Sequence, residues 1–219
     1  MKKIFVFILL SVTVGMFLFS QEYDVRKLKW GMSFEELQKA EDLKTDFFKD
    51  EDIFGIKVET LFGIDLKGLY SVSYSTQDKN FAVEVLKVLR KKYGEPKTDL
   101  DYSFLMKVKD ILKRFPRLIV QIYEKGNFNV LETELSPELS LNDRKIIRAG
   151  LSKRSMWEYG NTVVFLLNSP EGIVLSYWHK PYFLDNKKKF IDFMAELKLK
   201  AKDEEVKKPE DTQQGIEKF

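Results

Sequence analysis

The chain has 219 residues, with 37 basic and 34 acidic side chains, one histidine and no cysteine. The missing cysteine excludes thiol catalysis, thiolate metal sites and a disulfide scaffold, while 44% hydrophobic and 14% aromatic content marks a folded polypeptide. The net charge of +3 is not a nucleic-acid signature, because Lys2 and Lys3 belong to an N-terminal segment beyond which 35 basic groups face 34 acidic ones.

That segment, residues 1–20, is MKKIFVFILLSVTVGMFLFS. Two lysines, the apolar run Ile4–Phe19 and a small residue at Ser20 are the layout of a secretory signal peptide. The run is shorter than the roughly 20 residues that a permanent transmembrane helix needs. Cleavage after Ser20 and delivery to the periplasm or the extracellular space are expected; an uncleaved N-terminal anchor is the alternative. No cysteine is present to carry a lipid.

Residues 29–40, KWGMSFEELQKA, predict a helix entered through Gly31. Ser33 and Glu36 have capping-box spacing, and Met32 and Leu37 that of a hydrophobic staple. Two strands are expected over 53–64 and 68–76, joined in a hairpin through Asp65 to Gly68. In the second, strict alternation puts Leu69, Ser71, Ser73 and Ser75 on one face and Tyr70, Val72, Tyr74 and Thr76 on the other. Residues 80–93 predict a helix with Phe81, Val85, Val88 and Leu89 inward, ended by Gly94 and Pro96. A second helix is expected over 102–115 with Pro116 as its stop. A hairpin follows over 118–123 and 128–134, then a helix over 141–151.

Beyond Trp157, NTVVFLLN and GIVLSYW predict a hairpin of strands near the centre of a sheet, because both are apolar almost throughout. A helix over 186–199 with Phe190, Phe193, Met194 and Leu197 inward comes next, and 200–219 reads as a flexible charged tail. Strand-strand-helix thus occurs twice, near 53–93 and 161–199. The class is α+β, an antiparallel sheet with helices mainly on one face. Residues 21–199 form either one domain or two packed halves, about 21–97 and 98–199.

No arrangement of residues announces a reaction. His179 is the only histidine, and Ser176, three positions before it in an extended strand, points to the opposite face. No serine-hydrolase elbow, Ser-x-x-Lys pair, phosphate-binding loop or dinucleotide fingerprint occurs. Asp46, Asp50, Glu51 and Asp52 lack the spacing of a calcium loop and read as a solvated loop. Catalytic residues are unknown, and neither cofactor nor metal site is expected. Lys107, Lys109, Lys113, Arg114 and Arg117 form either a basic face for phospholipid headgroups or an acidic partner, or an ordinary solvated helix face. Trp178, Tyr182 and Phe183 beside Pro181 form either a binding edge or a cover for the sheet.

Three patches, WGMSFEE, KKYGEP, and Trp157 with Thr162 ahead of GIVLSY, resemble a loose group of uncharacterised bacterial exported proteins. Those proteins carry W-G-M-S-x-E-E, K-Y-G-x-P and W-x-x-x-x-T segments. The Gly-Met-Ser opening is also similar to the first helix of BamE-type outer-membrane assembly accessory proteins, although the lipidated cysteine of that group is absent and this chain is far longer. The resemblance implies export and brings no activity with it. The expectation is therefore a non-enzymatic, exported binding module that meets an envelope component through a sheet edge or helix face, without nucleic acid, and with membrane contact only if the signal is retained. The alternatives are a cell-envelope hydrolase using two converging carboxylates and a signal-anchored protein at the membrane surface.

Overall fold

The computed structural model describes residues 26–43, 46–133, 139–170 and 172–206. The expected signal segment at 1–20 and the tail from residue 207 onward lie outside the described residues. Strands Phe48–Ile53 (β1), Ile56–Asp65 (β2), Gly68–Thr76 (β3), Lys97–Asp99 (β4), Arg154–Tyr159 (β5), Thr162–Ser169 (β6) and Gly172–His179 (β7) form one antiparallel sheet in the order β1-β2-β3-β7-β6-β5-β4. β3 and β7, the last strands of the β1-β2-β3 and β5-β6-β7 meanders, pair with each other at its centre, from Ser71 opposite Trp178 to Thr76 opposite Ile173. A strand with neighbours on both edges and cover on both faces has few polar positions to offer, which is why GIVLSYW reads as continuously apolar.

The helices are Phe34–Glu41 (α1), Lys79–Tyr93 (α2), Tyr102–Lys107 (α3), Lys109–Lys113 (α4), Pro116–Lys125 (α5), Val130–Thr133 (α6), Leu141–Leu151 (α7) and Lys180–Val206 (α8). Most pack on one face: the apolar residues of α3 to α8 meet Met156, Val163, Phe165 and Trp178. The other face, with Val58, Phe62, Val72, Tyr74, Trp157, Val164, Ile173 and Leu175, is covered by Leu37 of α1 and by Phe81, Ala82, Val85 and Leu89 of α2. The α+β class therefore stands, with a smaller second helical layer.

Strand-strand-helix does recur, as β2-β3-α2 and β6-β7-α8. Antiparallel neighbours such as β3 and β7 are related by a local two-fold axis normal to the sheet, which would keep equivalent helices on one face. Helices α2 and α8 pack on opposite faces. The repeat therefore extends to the strands and not to the helices.

Local signals explain the ends of most elements. Ser33 caps α1 with its side chain while the Glu36 carboxylate accepts from the Ser33 amide at 2.8 Å. Asp78 caps α2, and Gly94 at φ +80° closes it. The WGMSFEE, KKYGEP and Trp157–Thr162 patches are joined through indole N–H groups: Trp30 donates to the Thr162 hydroxyl at 3.0 Å and Trp157 to the Gly94 carbonyl at 2.8 Å. Gly68, at φ +95°, lies so close to Gly31 that an added Cβ would sit 2.3 Å from the Gly31 carbonyl oxygen.

Several expectations are corrected. The strand expected over 53–64 is β2, beginning at Ile56, and Phe54-Gly55, both at positive φ, join it to an unexpected strand, β1, the signature of a two-residue hairpin. The acids Asp50, Glu51 and Asp52 consequently lie in β1, not in a loop. In β3 a bulge opposite Gly63 and Ile64 leaves Tyr70 unpaired, so Leu69 joins Val72 and Tyr74 while Tyr70 turns to the face of Trp178. The helix over 102–115 breaks at Val108 (φ −103°, ψ 9°), and Pro116 starts α5 at its first turn instead of stopping α4. The hairpin expected over 118–123 and 128–134 is replaced by α5 and α6, with residue 134 outside the described residues: Leu118, Ile119 and Ile122 share a buried helical face and Gly126 supplies the left-handed cap of α5. Strands β4 and β5 went unread, and α8 begins at Lys180 and runs to Val206, through the first residues assigned to the tail.

One buried ion pair ties the larger helical layer to the sheet. Asp101 accepts from the Phe104 amide at the start of α3 (3.1 Å) and from Arg154 of β5 (2.8 Å), and Arg154 also donates to the Ala149 carbonyl of α7 (3.1 Å). Burial pushes the Asp101 carboxyl up and the Arg154 guanidinium down, each against the other's attraction. Two stability predictions follow from these contacts. Arg154→Met, which strands the Asp101 charge in the core, should cost about 3–5 kcal/mol in urea unfolding. Gly68→Ala should cost about 2 kcal/mol or more by the same assay, since both the backbone angle and the Gly31 contact oppose a methyl group.

Candidate functional site

On the face covered by α1 and α2, the helices leave a gap. An open groove of about 330 Å³ runs between α2 and the β1–β2 hairpin. Tyr74, Leu175 and Tyr177 form its floor, Phe81, Val85, Val88 and Leu89 one wall, and Ile53 and Phe54 the other. The volume is near the lower end of the roughly 300–1,000 Å³ found for small-molecule clefts. It suits one or two apolar side chains better than a large cofactor.

Two rim residues are exposed although their chemistry favours burial. Val88 belongs to the apolar stripe of α2, yet it is 46% exposed, whereas Phe81, Val85 and Leu89 beside it are at most 3% exposed. Phe54 is 54% exposed at φ +60° on the hairpin tip, a backbone region costly for an aromatic residue. The Phe54-Gly55 turn between Ile53 and Ile56 was the available sequence signal for this wall. Val88 was read as core, because spacing along a helix cannot tell how far the covering sheet extends.

The inner end of the groove is charged and internally neutralised. Arg26 donates to both carboxylate oxygens of Glu51, at 2.9 and 2.8 Å, and lies 6.0 Å from the Tyr74 ring centre. The Thr60 hydroxyl also donates to Glu51, and Lys49 pairs with Glu41. Burial alone would push Glu51 up, but hydrogen bonds from Thr60 and Arg26 and the charges of Arg26 and Lys49 hold it below its ordinary value. Burial also works against the Arg26 charge, yet Glu51, Tyr74 and Glu41 outweigh it and raise the guanidinium further. Burial, partly offset by Arg26, pushes Tyr74 up to about 12, so it stays a neutral phenol. The groove thus offers apolar contact beside a satisfied ion pair, and Glu51 is held ionised rather than as a proton donor.

The remaining candidates fall elsewhere. Ser176 and His179 leave β7 on opposite faces, as their spacing predicts: the Ser176 hydroxyl meets that of Ser73 at 3.2 Å, and His179 stacks on Trp30 at 5.9 Å. Trp178 and Phe183 are buried at 3% and 4% exposure, so they line the core and form no binding edge. Trp178 and Tyr182 stack with Tyr70, and the Lys107 ammonium sits 5.0 Å from the Trp178 ring centre. The break at Val108 disperses the basic series. Lys113 pairs with Asp110 and Arg114 with Asp143, and Lys109 and Arg117 are carried by two different helices, α4 and α5. Among the described residues, no three histidine, aspartate or glutamate side chains gather as metal ligands, and no helix is long and apolar enough to cross a membrane.

The depressed Glu51 value has a consequence for stability. Its folded-state pKa lies below the unfolded value near 4.5, so the ionised group stabilises the fold above that pH. The contribution is lost as the pH falls through the lower folded-state value. Urea midpoints of the wild type should therefore drop more steeply than those of Glu51→Gln between about pH 5 and pH 3. Parallel slopes for the two proteins would remove Glu51 from the acid response.

No protein family, curated protein or solved structure matches this chain.

Proposed function

We propose that the chain is an exported, non-enzymatic binding protein that receives part of another envelope component in the groove between α2 and the β1–β2 hairpin. The observation that carries the reading is the exposed pair Val88 and Phe54 facing an apolar groove. An exposed apolar wall on a strained hairpin tip is costly for a protein that has no use for it. The charged end of the groove favours binding over hydrolysis, because Arg26 and Thr60 occupy the Glu51 carboxylate and hold it ionised. General acid catalysis by a carboxyl group needs the opposite shift. The export setting rests on residues 1–20 and on the likeness of the three patches to exported bacterial proteins.

The test combines in-cell crosslinking with affinity capture from the native envelope, using the wild type and Val88→Asp. Val88 is at the rim, so the variant should keep the wild-type unfolding free energy in urea within about 0.5 kcal/mol. The expected result is a defined envelope component crosslinked to the wild type and lost from Val88→Asp. Retention of that component by the variant, or turnover of wall fragments by the purified protein, would overturn the reading.

A further inference from the structure

The groove ends on β1, and β1 is the outer strand of the sheet. The Phe62 amide donates to the Phe47 carbonyl at 2.7 Å, which makes 47 and 62 a hydrogen-bonded pair. With the register Lys49–Thr60, Glu51–Val58 and Ile53–Ile56, alternation turns the amides of 49, 51 and 53 toward β2. Those of Phe48, Asp50 and Asp52 then face outward. Among the described residues no strand lies beyond them.

The side chains of these same three residues point to the face opposite the groove. There α3 to α8 cover the β4–β7 half of the sheet and leave β1 and β2 bare, with Phe48, Asp50, Asp52, Lys57, Glu59 and Leu61 exposed. Asp50 stands directly opposite Glu59. A like-charge cross-strand pair opposes the sheet, and among the described residues neither carboxylate has an ion-pair partner. On the groove face the charges of Lys49 and Glu51 are already matched by Glu41 and Arg26. Asp52 stands opposite Lys57, so the uncompensated negative charge of the open edge is the Asp50–Glu59 pair, on the face opposite the groove.

We propose that this edge binds a partner by strand addition: an extended segment of another polypeptide whose side chains alternate between apolar and cationic. The inference rests on the groove reading and specifies what the groove receives. Backbone pairing with Phe48, Asp50 and Asp52 supplies the framework, and the period of two divides the partner's side chains between the faces. Apolar ones lie beside Ile53 and Phe54 at the mouth of the groove; cationic ones meet the opposed acids Asp50 and Glu59. A second copy of this chain fits poorly, because antiparallel β1–β1 pairing would bring the acids of the two copies together.

The test uses labelled acetyl-Lys-Val-Lys-Phe-Lys-Val-amide, with acetyl-Glu-Val-Glu-Phe-Glu-Val-amide as its charge-reversed control, titrated against the full chain by fluorescence anisotropy. The basic peptide should bind, more weakly as salt rises, and the acidic one should not. Asp50→Pro removes an outward N–H that β2 does not use, a substitution tolerated on an edge strand. Relative to Asp50→Asn, which removes only the charge, it should weaken binding by a further factor of about ten or more. Amide exchange on the wild type gives the same answer without a variant. The amides of Phe48, Asp50 and Asp52 should gain protection with peptide, while those of Lys49 and Glu51 are protected already.

Equal affinity for Asp50→Pro and Asp50→Asn, no protection at the three amides, equal binding of the acidic peptide, no peptide binding, or a wild-type dimer that Asp50→Pro dissolves would each overturn strand addition. Loss of the peptide in Val88→Asp with binding intact in Asp50→Pro leaves the groove reading standing alone. The reverse pattern removes the groove and keeps the edge.

Discussion

The pairing of β3 with β7 is the constraint on which the rest depends. Each three-stranded meander, β1-β2-β3 and β5-β6-β7, is built from hairpins with short connections, and neither alone offers an interior with two covered faces. Joined from Ser71–Trp178 to Thr76–Ile173, they make a sheet wide enough to separate two cores. On one side lie Val72, Tyr74, Ile173 and Leu175 under α1 and α2; on the other lie Trp178 and its neighbours under α3 to α8. The seam links residues about one hundred positions apart, so its closure entropy must be offset by burial on both faces. This explains the apolar density of β7 and the small side chains Ser73 and Ser176, which meet across the seam.

The same seam accounts for the groove. The second meander draws α2 toward the sheet centre, where it also touches β5, β6 and β7. The first meander extends outward beyond the reach of that helix, and the uncovered strip between them is the groove. Val85, Val88 and Leu89 all line this strip, but Val85 and Leu89 are also buried against the sheet while Val88 stays exposed at the rim. The groove is thus a consequence of sheet width exceeding helix cover, not of any residue chemistry visible locally.

What was legible in the sequence divides along that line. Elements with complete local signals, such as the capped α1, α2 with its Gly94 stop, α7, β3 and the β6–β7 hairpin, were read nearly to their ends. β1 was missed because FKDEDI has no apolar alternation: its inward positions Lys49 and Glu51 are paired charges, which look like solvated ones until Arg26 and Glu41 are brought to them. α5 was read as strand because Leu-Ile-Val-Gln-Ile is rich in β-branched residues, and tertiary contact through Leu118, Ile119 and Ile122 overrides that preference. The Tyr70 bulge is a matter of register between strands, so strict alternation put Leu69 and Tyr70 on the wrong faces. The groove itself, with Arg26 and Phe54, needs residues from five parts of the chain and has no linear signature.

Charge placement gives the last step. The groove-side charges are consumed within the protein, Arg26 by Glu51 and Lys49 by Glu41, as Asp101 is by Arg154 under the larger helical layer. Such pairs add little net stability once desolvation is counted, but they fix geometry, here the position of the hairpin that carries Phe54. On the bare face Asp50 and Glu59 are left opposed, with neither neutralised. Acidic charge on an outer strand prevents self-association of the edge, and the same charge creates an attraction for a strand of opposite sign. A protein that needed only protection could have covered β1 or shortened it, as β4 is shortened to Lys97–Asp99 at the opposite edge. β1 is instead kept at Phe48–Ile53 with an apolar groove at its end, so the two edges of one sheet are finished in opposite ways: one is a three-residue strand, the other twice as long and bearing the opposed acids Asp50 and Glu59.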